Sequence, residues 1–92
     1  MEVNFSVVIP LYNKEAFVAK TLNSVLNQTY QNFEVIIVND CSTDNSLNVV
    51  QKIDDSRFKI IKHNENKGLS ASRNTGINAA THSYIAFLDA DD

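Results

Sequence analysis

Three features of the sequence predict an α/β fold built on a parallel sheet. Short apolar runs alternate with longer segments in which apolar residues recur at helical spacing, giving the order β-α-β-α-β-α-β. The runs lack polar alternation, which indicates strands covered by helices on both faces of the sheet. Two Gly and one Pro among 92 residues are too few for a turn-rich all-β domain. We therefore expect three layers, α/β/α, with a Rossmann-like sheet joined by right-handed crossovers.

Four apolar runs are predicted to be the strands. Three of them are almost entirely apolar and rich in β-branched residues, as strands covered on both faces require. The third run is interrupted by Lys59 and Lys62, and lysines are typical of edge strands, where they discourage pairing with other chains. An edge position for that strand favours the spatial order 3-2-1-4. The predicted strands are residues 5–10, 34–39, 58–62 and 83–88.

Three helices are predicted between the strands. The first covers about 14–28, with Asn13 as its N-cap and Phe17 on its buried face. The second follows the polar segment 42–44. The third carries a stripe of mostly small residues, which allows a helix to pack close to a sheet. That stripe consists of Leu69, Ser72, Gly76, Ile77 and Ala80.

Composition and charge exclude several classes of protein. The hydrophobic share of 43% and the charged share of 21% are those of a globular domain and not of a disordered tail. No apolar run approaches the ~18 residues of a membrane span, and no basic segment precedes an apolar one as in a signal peptide. The net charge of −3 gives no field for gathering nucleic acid. Cys41 has no partner for an internal disulfide, so we expect a reducing, cytoplasmic location.

Polar residues follow the predicted strands at the edge where ligands bind in open α/β sheets. Tyr12 ends the first strand, Asp40 ends the second, and Asp89 and Asp91 follow the fourth. Parallel strands end at one edge of the sheet, and in the order 3-2-1-4 the connections reverse direction between strands 1 and 4. The sequence therefore predicts a ligand site beyond that edge.

Each of these residues also has a simpler interpretation. Asp40 is a common type of turn residue ahead of a helix, and Tyr12 is equally suited to covering the edge of the core. Asp89, Asp91 and Asp92 repel one another unless a cation or donors compensate. Such carboxylates suit a hard divalent ion, but a solvated acidic turn explains them as well.

The remaining chemically active residues give weaker indications. Lys67 and Arg73 flank the start of the third helix, where basic groups suit phosphates, although surface charge is the usual explanation. His63 and His82 have no His or Cys partner at metal-binding spacing, and we interpret both as structural. Cys41 has no nearby His to activate it, so we interpret it as a loop thiol.

Taken together, four segments resemble the motifs of family 2 glycosyltransferases, in the same order and with the same spacing. They cover essentially the whole chain and are jointly far more specific than any one of them. The resemblance implies a GT-A fold, a nucleotide-sugar donor, and transfer with inversion assisted by Mn²⁺ or Mg²⁺. The segments are VVIPLYN at 7–13, VNDCSTD at 38–44, NKGLSASRN at 66–74 and FLDADD at 87–92.

The resemblance also implies where the nucleotide lies. Pro10, Tyr12 and Asp40 would line the pocket for the base and ribose, with Tyr12 against the base. Arg73 and Lys67 would lie near the nucleotide. A UDP-sugar is the favoured donor, and a glycan or a lipid-linked molecule is the expected acceptor. Any attachment to the inner face of the membrane would come from parts of the protein outside this chain.

For the acidic motif, the resemblance implies that Asp91 ligates the metal that bridges to the diphosphate, and that Asp89 approaches the ribose or the metal. Two departures from the family pattern are present. Members often carry Asp where this chain has Asn39, and Gly where it has Cys41. The turn after Asp40 must therefore form without the conformational freedom of glycine.

We expect residues 1–92 to be the donor-binding part of a glycosyltransferase domain. In the family, the acceptor site and catalytic base lie after the D-x-D motif, so no catalytic base is visible here, and Asp92 is not nominated for that role. One alternative is a nucleotide-binding module that uses a metal and catalyses nothing. A second is a phosphotransfer receiver or an aspartyl phosphatase, but a phosphatase D-x-D follows its first strand and this one follows the fourth.

Overall fold

The computed structural model describes residues 3–53 and 55–91 of the chain. Within those residues, four strands alternate with three helices, as the sequence predicted. The elements are β1 (Phe5–Leu11), α1 (Val18–Leu26), β2 (Phe33–Asn39), α2 (Ser46–Lys52), β3 (Phe58–Lys62), α3 (Leu69–Ala79) and β4 (Tyr84–Phe87).

The four strands form one parallel sheet in the order β3-β2-β1-β4, which confirms the predicted topology. In the register of the sheet, Val8 of β1 lies between Ile36 of β2 and Phe87 of β4. Strand β3 lies at an edge, and both of its lysines, Lys59 and Lys62, are exposed. All four strands therefore end at the same edge of the sheet.

Helices cover both faces of the sheet at its two central strands, β1 and β2. The expectation of two covered faces was wrong for β4, where Tyr84 and Phe87 are 60% and 48% exposed. Alternate residues of β1 and β2, such as Ile9 and Ile37, pack with α1 and α2 in one buried cluster. The intervening residues, such as Val8 and Ile36, pack with the end of α3 in a second cluster on the opposite face. Because both faces are covered at β2, every residue of this strand is buried, which explains the unbroken apolar run at 35–38.

Helix α3 packs closely against β1 through small residues. Ser72 and Gly76 are buried, and a Cβ added at Gly76 would overlap the side chain of Val8. The prediction for this face was wrong at two positions, since Leu69 and Ile77 are 52% and 41% exposed. The small residues alone bring α3 close to β1, and the side chains of Leu69 and Ile77 lie outside the contact between helix and sheet.

The start of α1 differs from the prediction. The helix begins at Val18, and Phe17 is 53% exposed and does not lie on the buried face. Asn13 is not its N-cap: it has a φ of 51°, and its side-chain oxygen accepts hydrogen bonds from the backbone N–H groups of Thr43 and Asp44. Asn13 instead ties the loop after β1 to the loop after β2.

Pro10 lies inside the central strand β1 without breaking the sheet. The carbonyl of Val8 accepts a hydrogen bond from the N–H of Leu88, so the backbone polar groups of Val8 point towards β4. These groups alternate in direction along a strand, so those of Pro10, two residues later, also point towards β4. The pairing with β4 ends opposite Val8. The N–H that proline lacks is therefore not needed for a ladder hydrogen bond.

A buried polar network lies at the opposite edge of the sheet from the strand ends. Glu34 is 8% exposed and accepts hydrogen bonds from the hydroxyl of Ser6, the N–H of Thr81 and the ammonium of Lys59. Burial alone raises the pKa of Glu34, but these donors and the charge of Lys59 outweigh it and lower the pKa to about 2. Glu34 is therefore an ionised group that joins β1, β2, β3 and the segment before β4.

Candidate functional site

A cleft of about 520 Å³ opens beyond the carboxyl ends of β1, β2 and β4, beside the start of α3. This is the switch point at which the sequence predicted a ligand site. Five of the seven predicted site residues line the cleft: Pro10, Tyr12, Asp40, Asp89 and Asp91. The topology has thus brought together residues up to 81 positions apart in the chain, from Pro10 to Asp91.

Asp40 is held in place by three hydrogen bonds. Its Oδ1 atom accepts from the Nδ1 atom of His63 and the N–H of Lys67, both at 2.8 Å, and its Oδ2 atom accepts from the N–H of Gly68 at 2.9 Å. Burial raises the pKa of Asp40, but His63 and the two N–H groups outweigh it and hold the pKa below its ordinary value of 3.8. Asp40 is therefore a fixed carboxylate at the wall of the cleft.

Gly68 allows the chain to turn around Asp40. Its φ of 94° and ψ of 171° belong to a region that is essentially reserved for glycine. That conformation presents the N–H groups of Lys67 and Gly68 to Asp40 and starts α3 at Leu69. A side chain at position 68 would strain this turn.

The segment that carries Asp89 and Asp91 is anchored between them. Ala90 is 3% exposed, and its carbonyl accepts a hydrogen bond of 2.7 Å from the hydroxyl of Thr21 in α1. With Ala90 held inside, the flanking aspartates are both exposed and line the cleft. The third acid of the motif, Asp92, lies outside the described residues.

Lys14 also lines the cleft, and its Nζ atom lies 3.2 Å from the Oδ2 atom of Asp91. Its backbone is fixed by a hydrogen bond of 2.8 Å from its N–H to the hydroxyl of Ser46. Ser46 in turn donates to Asp44, which also accepts the N–H of Glu15. Burial tends to raise the pKa of Asp44, but these donors outweigh it and lower the pKa. The joined loops thus place a cation beside Asp91.

Lys67 and Arg73 do not line the cleft with their side chains. Lys67 contributes its backbone N–H to Asp40, and its side chain is exposed. The guanidinium of Arg73 lies 5.9 Å from the ring centroid of Phe87, and its Nε atom is buried without a hydrogen-bond partner among the described residues. The nucleotide contacts expected of these two side chains remain predictions.

Sequence reasoning missed two parts of the site. His63 was interpreted as structural, yet it contacts Asp40 directly. Lys14 was treated as the start of a helix, yet it faces Asp91. The available signal was positional, because His63 directly follows β3 and Asp40 directly follows the neighbouring strand β2. Cys41, as expected, is a loop thiol: its Sγ atom lies 3.7 Å from the carbonyl of Asn64.

The residues at the mouth of the cleft fit a divalent metal that is shared with a ligand. Within residues 3–53 and 55–91, no three His, Cys, Asp or Glu side chains cluster closely enough to hold an ion by themselves. Mg²⁺ and Mn²⁺ are commonly held by one or two carboxylates plus phosphate oxygens and water. Asp91 already faces a cation, the ammonium of Lys14. Asp89 and Asp91, which both line the cleft, would be the residues that provide oxygen donors for such an ion.

The fold and the cleft define an α/β domain with a ligand-sized cleft at the switch point of its parallel sheet, and comparison with known proteins identifies its family. The chain belongs to glycosyl transferase family 2, whose family model matches residues 6–92. The Escherichia coli protein WfaP is named UDP-Glc:alpha-D-GlcNAc-diphosphoundecaprenol beta-1,3-glucosyltransferase. It is 45% identical to this chain over 87 residues, which are 95% of this chain and 35% of that protein.

Solved glycosyltransferase structures share the fold, which confirms the expected GT-A class. S. aureus TarS 1–349 in complex with UDP-GlcNAc matches with a TM-score of 0.90 and 34% identity, over 97% of this chain and 27% of that one. The mannosyltransferase PcManGT from Pyrobaculum calidifontis, in complex with GDP-Man and Mn²⁺, matches with a TM-score of 0.92 and 25% identity, over 99% and 28%. This chain spans about a third or less of the length of the curated relatives it matches.

In the part of the chain that the structure describes, none of the helices has the length and apolar character needed to cross a membrane.

Proposed function

We propose that this chain forms the donor site of an inverting glycosyltransferase that moves a sugar from a nucleoside-diphosphate sugar to an acceptor hydroxyl with the help of a divalent metal. One observation carries the proposal: a single cleft at the switch point of the sheet joins an aromatic residue, a fixed carboxylate and the paired acids. These are Tyr12, Asp40, Asp89 and Asp91. Residues 1–92 would be the donor-binding part of the domain.

The groups in the cleft divide into two sets that suit the two ends of a nucleoside diphosphate. Tyr12, 43% exposed, presents a ring on which a base can stack, and Asp40 beside it accepts hydrogen bonds from a base or ribose. Asp89 and Asp91 lie on the segment after β4 and would face the ribose and the metal. The bound metal would stabilise the negative charge that develops on the departing diphosphate.

The donor and acceptor classes are supported by the relatives. TarS was solved with UDP and with UDP-GlcNAc, and PcManGT with GDP-Man and Mn²⁺. WfaP is named for a UDP-Glc donor and a diphosphoundecaprenol-linked acceptor. We propose a UDP-sugar as the favoured donor, Mn²⁺ or Mg²⁺ as the metal, and a glycan or lipid-linked hydroxyl as the acceptor. A base must deprotonate that hydroxyl, and we assign none of the described residues to this role.

A binding panel tests the proposal. UDP, GDP, dTDP and CDP are titrated into the natural full-length protein by calorimetry, with and without Mn²⁺. We expect at least one nucleotide to bind more tightly with Mn²⁺, and Asp40→Ala to weaken its binding with and without the metal, because Asp40 faces the base or ribose. Failure of all four to bind would contradict the donor site. Binding without sugar transfer or donor hydrolysis would favour the non-catalytic module instead.

A further inference from the structure

His63 links the nucleotide cleft to helix α3 through a buried side chain. It directly follows β3, and its N–H donates to the carbonyl of Asn39, which continues the ladder between β3 and β2. Its side chain is 6% exposed. The Nδ1 atom lies 2.8 Å from Oδ1 of Asp40, and the Nε2 atom lies 2.8 Å from Oγ1 of Thr75 in α3. Both ring nitrogens are therefore engaged.

The geometry fixes how the ring is used. An ionised carboxylate only accepts hydrogen bonds, so the proton on Nδ1 must point to Asp40. Nε2 can then accept the hydroxyl proton of Thr75, or it can carry a proton and donate to Thr75, whose hydroxyl also lies 3.0 Å from the carbonyl of Ala71. In either protonation state, both ring nitrogens of His63 have a hydrogen-bond partner. His63 thus donates to Asp40 whether the imidazole is neutral or charged.

This contact limits what Asp40 can offer a ligand. Its Oδ1 atom already accepts from His63 and from the N–H of Lys67, while Oδ2 accepts from the N–H of Gly68. Each carboxylate oxygen accepts about two hydrogen bonds, so Oδ2 retains the free capacity. Without His63, the carboxylate would lose its one side-chain donor among the described residues and would keep only the N–H groups of Lys67 and Gly68, so its orientation would be less firmly fixed.

We propose that His63 is a positioning residue that orients the Asp40 carboxylate so that Oδ2 is presented to the donor nucleotide. The inference rests on the proposed function, because it assigns Asp40 to nucleotide binding. His63 itself would not touch the nucleotide. Its effect would pass entirely through Asp40, which separates this role from a general contribution to folding.

Two conservative substitutions separate the contacts of the ring. His63→Asn carries an amide N–H₂ at about the position of Nδ1 and keeps a donor for Asp40. His63→Gln carries it at about the position of Nε2 and keeps the contact with Thr75. His63→Leu removes both. His82→Leu is the control, since His82 lies before β4 at the opposite edge of the sheet.

The readouts are UDP affinity with Mn²⁺ and the free energy of unfolding, measured on the natural full-length protein. We expect His63→Leu and His63→Gln to weaken UDP binding about tenfold, as loss of a hydrogen bond to a charged group implies, while His63→Asn and His82→Leu stay within about threefold of the parent. In an Asp40→Asn background, His63→Gln should cost little further affinity, because the residue it acts through has already been altered.

Equal losses for Asn and Gln, or additive losses in the Asp40→Asn background, would overturn the inference and return His63 to a structural role. Unchanged affinity in His63→Gln would also overturn it while leaving the proposed function intact. If the parent protein binds none of the four nucleotides, the proposed function fails, and this inference fails with it.

Discussion

The Nζ atom of Lys14 lies 3.2 Å from the Oδ2 atom of Asp91, the carboxylate that we propose as the metal ligand. The two groups come from opposite ends of the chain and meet at the mouth of the cleft. Both side chains are about two-fifths exposed, so the ion pair is screened by water and contributes little to stability. A metal at Asp91 would have to displace this ammonium or share the carboxylate with it.

Replacing Lys14 should therefore tighten metal binding in the absence of nucleotide. We expect Lys14→Met to raise Mn²⁺ affinity by up to about fivefold. The substitution removes one ammonium, which both competes with Mn²⁺ for Asp91 and repels the metal ion. The same change should weaken metal-free binding of UDP, because a positive group is lost from the cleft. Calorimetry measures both affinities. Lys20→Met, an exposed lysine in α1, is the control, and an equal response of the two variants would contradict a role for Lys14.

The Glu34 network should make stability depend on pH in the acidic range. The native pKa of Glu34 is about 2 against an ordinary value of 4.5, so its contribution is fully present above about pH 4.5 and is lost as pH falls towards about 2. The difference corresponds to about 3 kcal/mol in the free energy of unfolding. Denaturant titrations between pH 2 and pH 7 measure it. In Glu34→Gln, stability should change less across this window, and an unchanged slope would mean that Glu34 does not carry the effect.

Cys41 should be a site at which glycine stabilises the protein. Its φ of 60° lies in the left-handed region, which costs a residue with a Cβ about 1–2 kcal/mol. Glycine removes that strain but loses about 0.4–1 kcal/mol through the greater freedom of the unfolded chain. We expect Cys41→Gly to raise the free energy of unfolding by about 1 kcal/mol. Cys41→Ala keeps the Cβ and should give no such gain, so a similar gain in both variants would point to removal of the thiol.

Much of the fold was predictable because it depends on local pattern. Unbroken apolar runs identified the strands, and Lys59 and Lys62 identified the edge that fixes the strand order. The position of Asp40 and Asp91 at one cleft followed from topology alone. These inferences needed only the hydrophobic period and the rules of parallel sheets.

The errors occurred where contacts distant in sequence override local preference. Asn13 has the residue type of an N-cap, but its side chain bonds Thr43 and Asp44 in another loop, so the helix starts later. The contact of His63 with Asp40 joins residues 23 positions apart and left no local signal. Leu69 and Ile77 fit the helical period, but the close approach at Gly76 excludes them from the interface.

The central proposal is that Asp91 would hold the divalent metal that stabilises the donor diphosphate. Substitution of each acid in the motif ranks their contributions. We expect Asp91→Asn to remove the metal-dependent part of UDP affinity, and Asp89→Asn to lose less because an amide can still bond a ribose hydroxyl. Asp92→Asn should have little effect, since we propose no metal or ribose contact for Asp92.

The most direct measurement is calorimetry of UDP binding with and without Mn²⁺ in the natural full-length protein and in Asp91→Asn. The account predicts that Mn²⁺ tightens UDP binding in the parent and has almost no effect in the variant. Metal-free affinity should be unchanged or slightly higher in the variant, because a carboxylate that repels the diphosphate is gone. An undiminished effect of Mn²⁺ in Asp91→Asn, or equal losses in all three variants, would contradict a defined metal site at Asp91.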